Sequence, residues 1–173
     1  KDDTEDADLG INKFSDACAV MFPLGDKVQP STIMMGFIGK ANIWQWKASQ
    51  DKEYWQGILR KTDAYSDFYY PFEKDELFVI SKDEPIYSAN DLLAIRVGTI
   101  TKKEVHNVHA RGFWKDGVWQ VVLKRSLNSS DRESEAVFDI GKKKLCAFGI
   151  WNGANGDRGG RKSVSDWVEL IIK

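Results

Sequence analysis

The stretch Phe113-Trp114-Lys115-Asp116-Gly117-Val118-Trp119 predicts the fold class, because an Asp-Gly pair separates two runs of β-forming residues. Asp-Gly is the preferred centre of a type I′ hairpin turn, since both of its positions need a positive φ. One face of the second arm, residues 118–127, collects four side chains: Trp119, Val121, Leu123 and Arg125. The stretch therefore predicts an antiparallel hairpin with one buried face.

Other short apolar runs, separated by turn residues, extend this pattern along the chain. They predict further strands at residues 17–22, 32–38, 42–48, 77–81, 91–99, 105–115, 135–140, 144–151 and 165–172. The runs 135–140 and 144–151 form a second predicted hairpin around Gly141, and residues 50–61 predict a short helix. Many short strands with regular turns predict a mainly all-β fold, an antiparallel β-sandwich with one or two short helices.

Length and composition place the chain among ordinary globular proteins. Its 173 residues suit one domain, 1–173, with residues 1–12 expected to be a flexible acidic N-terminus. A net charge of −1 gives no indication of nucleic-acid binding, and no apolar run is long enough to span a membrane. Residues 62–85 are aromatic and acidic and predict a long excursion between strands. Cys18 and Cys146 leave open one disulfide or two thiols, and the absence of C-x-x-C-H excludes covalent c-type haem.

Several blocks, in order along the chain, resemble a known family. They are Asp16-Ala-Cys-Ala-Val-Met-Phe-Pro23, Met34-Met35-Gly36, Asn42-Ile-Trp-Gln-Trp-Lys-Ala48, the hairpin at 110–125, and the glycine-rich stretch at 147–165. The family is that of the haem b-binding gamma subunits of ethylbenzene dehydrogenase and the related dimethyl sulfide, chlorate, selenate and nitrite oxidoreductases. The resemblance implies a β-sandwich similar to carbohydrate-binding modules and to the cytochrome domain of cellobiose dehydrogenase.

The resemblance also implies a function. Such a subunit is non-catalytic and relays electrons through a non-covalent b-type haem, from an iron–sulfur subunit beside a molybdenum catalytic subunit to a carrier such as a soluble cytochrome. It implies a periplasmic or equivalent extracytoplasmic location. Met35, directly before Gly36, falls where the family has its methionine ligand to iron. A thioether favours ferrous iron and raises the potential. Met34 would point to the opposite side of the same predicted strand.

The second axial ligand is where this sequence departs from the family pattern. The family lysine falls at Arg111, and a guanidinium has no lone pair for a metal. Arg111 is instead expected to pair with a haem propionate or a partner's carboxylate. His109 shares the face of Arg111 by strand alternation and is a candidate nitrogen ligand, whereas His106 would face the other way. Lys162 is a further candidate ligand.

Trp44 and Trp46 share one face of the predicted strand 42–48 and are candidates for contact with the cofactor. Two other functions stay open beside the electron relay. A haem-free paralogue could serve as a scaffold or tether in the complex, which needs no ligand at Arg111. A carbohydrate-binding module would need Trp44, Trp46 or Trp151 in a solvent-facing groove.

Overall fold

The structure is a computed structural model, and it describes residues 14–25, 39–56, 87–96 and 98–173. Most of its elements are antiparallel β-strands, which confirms the predicted fold class. The elements are β1 (Ala17–Pro23), β2 (Ala41–Lys47), α1 (Ala48–Gln56), β3 (Asn90–Ala94), β4 (Ile100–Lys102), β5 (His109–Lys115), β6 (Val118–Lys124), β7 (Lys143–Trp151), β8 (Ser163–Val164) and β9 (Val168–Ile171). Within these described ranges no helix is long and apolar enough to cross a bilayer.

The strands form one large sheet and one separate hairpin. The large sheet runs in the order β4-β3-β2-β1-β7-β8, and β9 pairs with the first half of β7. The β5–β6 hairpin is a two-stranded sheet that lies against β2, where Trp119 of β6 packs on the buried Trp46. Alternate residues of β2 point into the space between the two layers, so Trp44 and Trp46 share one face, as the alternation predicts, and both belong to the core cluster.

The Asp-Gly hairpin is confirmed. Asp116 and Gly117 have φ values of 52° and 83°, the pair of positive angles that a type I′ turn requires. The ladder joins Lys115 to Val118 and continues as far as His109 and Lys124. Exposure alternates along both strands, so each strand has a face toward the core and a face toward solvent.

The predicted strand at 135–140 is wrong. That segment is irregular, and the described residues show no hairpin around Gly141; instead β7 pairs with β1, β8 and β9. Its apolar pattern comes from single side chains that anchor a loop. Phe138 packs edge-on against the rings of Phe22 and Trp44, and Glu135 is buried in ion pairs. A loop that sends alternate side chains into the core carries the same pattern as a strand.

Other boundaries differ by smaller amounts. The strand predicted at 105–115 begins only at His109, and the one at 165–172 is limited to Val168–Ile171. The helix occupies Ala48–Gln56, and the rest of its predicted range, like the predicted strands 32–38 and 77–81 and the excursion 62–85, lies outside the described residues. Cys18 and Cys146 are both free thiols. Burial raises the pKa of Cys18 to about 11, so its thiol is a packing group rather than a nucleophile.

Candidate functional site

Two of the predicted site residues lie together on the solvent side of the β5–β6 hairpin. His109 and Arg111 alternate along β5 with Ala110 and Gly112, which point to the core. We call the set His109, Arg111, Phe113 and Val122 the outer hairpin face, because all four side chains project from the exposed side of the ladder. The predicted juxtaposition of His109 and Arg111 on one face is therefore what the structure shows.

Arg111 is held by aromatic rings. Its guanidinium carbon is 4.6 Å from the ring centroid of Trp55 and 5.1 Å from that of Phe113. These are cation–π distances. Among the described residues no carboxylate pairs with this guanidinium, so its hydrogen-bond donors are available to an anion.

Helix α1 brings Trp55 to this position. The Trp55 indole nitrogen donates to the carbonyl oxygen of Ala110 at 3.1 Å. One turn earlier, the Oδ1 atom of Asp51 accepts from the indole nitrogen of Trp46 at 2.8 Å and from the backbone nitrogen of Gly112 at 3.0 Å. The bonds to Ala110 and Gly112 fix the helix against β5, and the bond from Trp46 fixes it to β2, so the position of the Arg111 side chain depends on contacts distant in sequence.

His109 offers a free imidazole. It is exposed and makes no hydrogen bond or ion pair with the part of the chain that the structure describes. Across the ladder its partner is Lys124. On the same face, nearer to the turn, Phe113 and Val122 leave 53% and 62% of their surface exposed, so the face carries apolar side chains as well. The outer hairpin face thus combines a free nitrogen donor, a free cation and apolar surface.

The two tryptophans predicted to contact a cofactor lie elsewhere. Trp46 is only 1% exposed, and its ring packs edge-on against Trp119 at 4.9 Å between centroids. Trp44 is also buried, between Phe22 at 4.8 Å and the guanidinium of Arg125 at 4.8 Å. Both therefore belong to the core cluster and not to the outer hairpin face.

Lys162 lies in the bend directly before β8, and its side chain packs on Trp151 of β7. Its ammonium nitrogen lies 5.1 Å from the Trp151 ring centroid and donates to the carbonyl oxygen of Gly159 at 3.3 Å. Burial lowers the pKa of Lys162 below its ordinary value. Met34 and Met35 lie outside the described residues, so the predicted methionine ligand stays a prediction. Within the described residues no three His, Cys, Asp or Glu side chains are grouped closely enough to hold a metal ion.

A buried ionic cluster was not predicted. The side chain of Arg125 is 1% exposed and lies 3.7 Å from a carboxylate oxygen of Glu135, which also accepts a hydrogen bond from Lys103. Lys103 reaches Asp91 at 3.8 Å, and the amide nitrogen of Asn42 donates to Asp91 at 2.6 Å. Two buried cations thus balance two buried carboxylates, which indicates a structural role.

The pKa values of the two acids of this cluster are shifted in opposite directions, although burial acts upward on both. Burial raises the pKa of Asp91, although the hydrogen bond from Asn42 and the charge of Lys103 oppose the shift. Burial also pushes the pKa of Glu135 upward, but hydrogen bonds from Lys103 and other neighbours hold it below its ordinary value. The sequence signal of this cluster is Arg125, a charged residue that comes directly after β6 and continues the alternation of its core face.

Comparison with known proteins defines the family. The family described as ethylbenzene dehydrogenase matches residues 1–163, so the chain belongs to it, as its sequence blocks predict. A protein of Haloferax mediterranei, named as a respiratory nitrate reductase heme subunit, is 30% identical over 170 residues. That similarity covers 98% of this chain but 48% of the relative, so the chain spans about half the length of the relative that it matches.

Proposed function

We propose that this chain is a non-catalytic, haem b-carrying subunit of a molybdenum oxidoreductase complex, which passes electrons from an iron–sulfur subunit to an external carrier. The observation that carries the proposal is that one exposed face presents two groups together, the His109 imidazole, which has no hydrogen bond, and the Arg111 guanidinium, which has no carboxylate partner among the described residues. Membership of the family and the heme in the relative's name support it. The complex is expected in the periplasm or an equivalent extracytoplasmic compartment.

The side chains of the outer hairpin face suit a haem. A neutral imidazole is the commonest nitrogen ligand to haem iron, and nothing in the described structure occupies the lone pair of His109. Arg111 is two residues further along β5, about 7 Å away on the same face. At that spacing its guanidinium suits a propionate rather than the iron. Phe113 and Val122 supply apolar surface for the macrocycle.

The chain's own contribution is to position these groups. When bound, the haem supplies a one-electron couple whose potential depends on its axial ligands. The type I′ turn and the packing of Trp119 on Trp46 hold β5 in place, so His109 is presented from a rigid strand. Trp55 and Phe113 hold the Arg111 guanidinium in a fixed position, which lowers the entropy cost of binding a carboxylate. Met35 is the proposed second ligand to the iron.

The visible spectrum of the purified protein tests this proposal. We expect a Soret band and, after reduction, a sharp α-band. Replacement of His109 by Gln should shift or abolish both bands, and Met35→Ala should alter them as well. Lys115→Gln is the matched control, because Lys115 is exposed on the same hairpin at the end next to the turn. A spectrum that His109→Gln leaves unchanged removes His109 from the coordination sphere.

A haem-free structural subunit of the same complex is the second candidate. The observation that favours it is Arg111 itself, which replaces the family lysine and cannot ligate iron. A protein that stays colourless after reconstitution with haem, yet assembles with its partner subunits, would support this function instead. The carbohydrate-binding alternative has lost its main support, because Trp44 and Trp46 are buried and Trp151 is partly covered by Lys162.

A further inference from the structure

We propose that a polar pocket at the end of the β5–β6 hairpin binds a small oxyanion-bearing ligand, such as an organic phosphate or a dicarboxylate. The pocket has a volume of about 460 Å³ and lies where β6 ends and the irregular segment toward Glu135 begins. Ligand pockets in proteins generally have volumes of about 300 to 1,000 Å³. This volume accommodates a small organic molecule more readily than a single ion.

The pocket presents hydrogen-bond donors that the protein does not use. Lys124, Ser126, Asn128 and Ser130 all line it. None of their side chains has a hydrogen-bond or ionic partner among the described residues. An ammonium group has three donors and no acceptor, the amide has two donors, and each hydroxyl adds one. All four side chains are exposed, and donors that line a pocket without a partner in the chain favour a ligand that is rich in acceptors.

Among the described residues that line the pocket, the acid is Glu135, and its charge is balanced by cations and donors of the chain itself. Glu135 accepts hydrogen bonds from Lys103 and from the amide nitrogen of Asn107 at 3.1 Å, and it lies 3.7 Å from Arg125. These partners hold the pKa of Glu135 below its ordinary value, so the carboxylate stays ionised and adds no hydrogen-bond donor to the pocket. The free charge facing the pocket is that of Lys124, which favours an anion over a neutral polyol.

The rim of the pocket is anchored to the core. Arg125 turns inward, stacks on the ring of Trp44 at 4.8 Å and donates to the carbonyl oxygen of Ala136. The backbone nitrogen of Phe138 donates to the carbonyl oxygen of Leu127 at 3.1 Å. The segment that carries Asn128 is therefore held at both of its ends. Such fixed donors can bind an anion without a large cost in ordering.

His109 also lines the pocket, at the side shared with the outer hairpin face. The anion site does not depend on the haem proposal, because its free donors lie on β6 and in the loop that follows. Anion binding can be measured on the purified full chain whatever its haem content. The visible spectrum and the anion titration therefore fail independently of each other.

Nuclear magnetic resonance titration of the purified chain tests the inference. Inorganic phosphate, succinate and glucose are added separately at constant ionic strength. We expect phosphate, succinate or both to cause saturable shifts of the backbone amides at residues 124–130, and glucose to cause none. The stronger of the two anions identifies whether the ligand bears a phosphate or a carboxylate group.

Variants connect those shifts to the pocket. Lys124→Gln should weaken the anion about tenfold, because a charge-assisted hydrogen bond is lost, and Asn128→Ala should weaken it less. Lys115→Gln, which removes another exposed lysine of the same hairpin, should leave the affinity unchanged. Absence of saturation, equal weakening by Lys115→Gln, or equal binding of glucose would each overturn the inference.

Discussion

The two faces of the β5–β6 hairpin differ in almost every physical property. The inner hairpin face, Ala110, Gly112, Trp119 and Val121, packs on the core around Trp46. The outer hairpin face is exposed and carries a free imidazole, an aromatic-held guanidinium and apolar surface. Because side chains alternate along each strand, the residues that pack on the core lie on one side of the hairpin and the candidate binding residues lie on the other. The contrast implies that the outer side chains can be replaced without unfolding the protein.

The strongest test of this contrast is to truncate two large side chains, the core ring on which the inner hairpin face packs and one ring of the outer hairpin face. Trp46→Ala should lower the free energy of unfolding by roughly 4 kcal/mol, because it leaves a large cavity and removes the donor to Asp51. Phe113→Ala should change it by less than about 0.5 kcal/mol, since its ring is already half exposed. Urea denaturation of both variants measures the difference. Similar losses for the two would refute the division between the faces.

Glycine at position 112 gives the next largest effect. A Cβ atom added there would lie 2.2 Å from Cζ2 of Trp46, a ring already held by Asp51 and Trp119. Because the rigid ring cannot move aside, Gly112→Ala should cost about 3 kcal/mol of stability, the upper part of the range for overpacking.

The matched control for that substitution is Gly160→Ala. A Cβ atom at position 160 meets nothing within 4 Å, and the backbone there does not have a positive φ. Its free energy of unfolding should stay within about 0.5 kcal/mol of the wild type. Thermal unfolding of both alanine variants measures the contrast. If Gly112→Ala were as stable as Gly160→Ala, the hairpin could not pack on Trp46 as closely as the structure shows.

The features that the sequence predicted correctly are those that depend on neighbouring residues. The Asp-Gly turn needs only two positive φ values, and the shared face of His109 and Arg111 follows from strand alternation over three residues. Both were predictable because no distant part of the chain can change them without breaking the hairpin. The same holds for Trp44 and Trp46 on one face of β2.

The features that the sequence did not predict depend on contacts between distant residues. Residues 135–140 have the pattern of a strand, but their apolar side chains enter the core from a loop. The ionic cluster joins Asp91, Lys103, Arg125 and Glu135, which are separated by up to 44 positions and share no motif. Trp55 reaches Arg111 only because helix α1 packs on β5. Such pairings are set by tertiary packing, which local pattern does not encode.

The two histidines of the chain also differ in packing, and the pH dependence of stability that follows is the smallest expected effect. His106 stacks on Tyr87, with 3.9 Å between ring centroids, and its Nδ1 accepts from the backbone nitrogen of Asp91 at 3.4 Å. Burial lowers the pKa of His106 below its ordinary value. Between that lowered pKa and about 6.5, the unfolded chain binds more protons than the folded one. The contribution of His106 is therefore complete above about pH 6.5 and is lost as the pH falls through this window.

Urea denaturation at about pH 7.5 and about pH 5.5 tests that sign. Wild type should lose stability at the lower pH, and His106→Gln should show a smaller loss. The difference should stay below about 1 kcal/mol, because solvent screens a partly exposed ring. His109→Gln removes the exposed histidine of the outer hairpin face and should keep the wild-type loss, since His106 is still present. If His109→Gln reduced the loss and His106→Gln did not, the loss of stability at the lower pH would come from the exposed His109 and not from the packed His106.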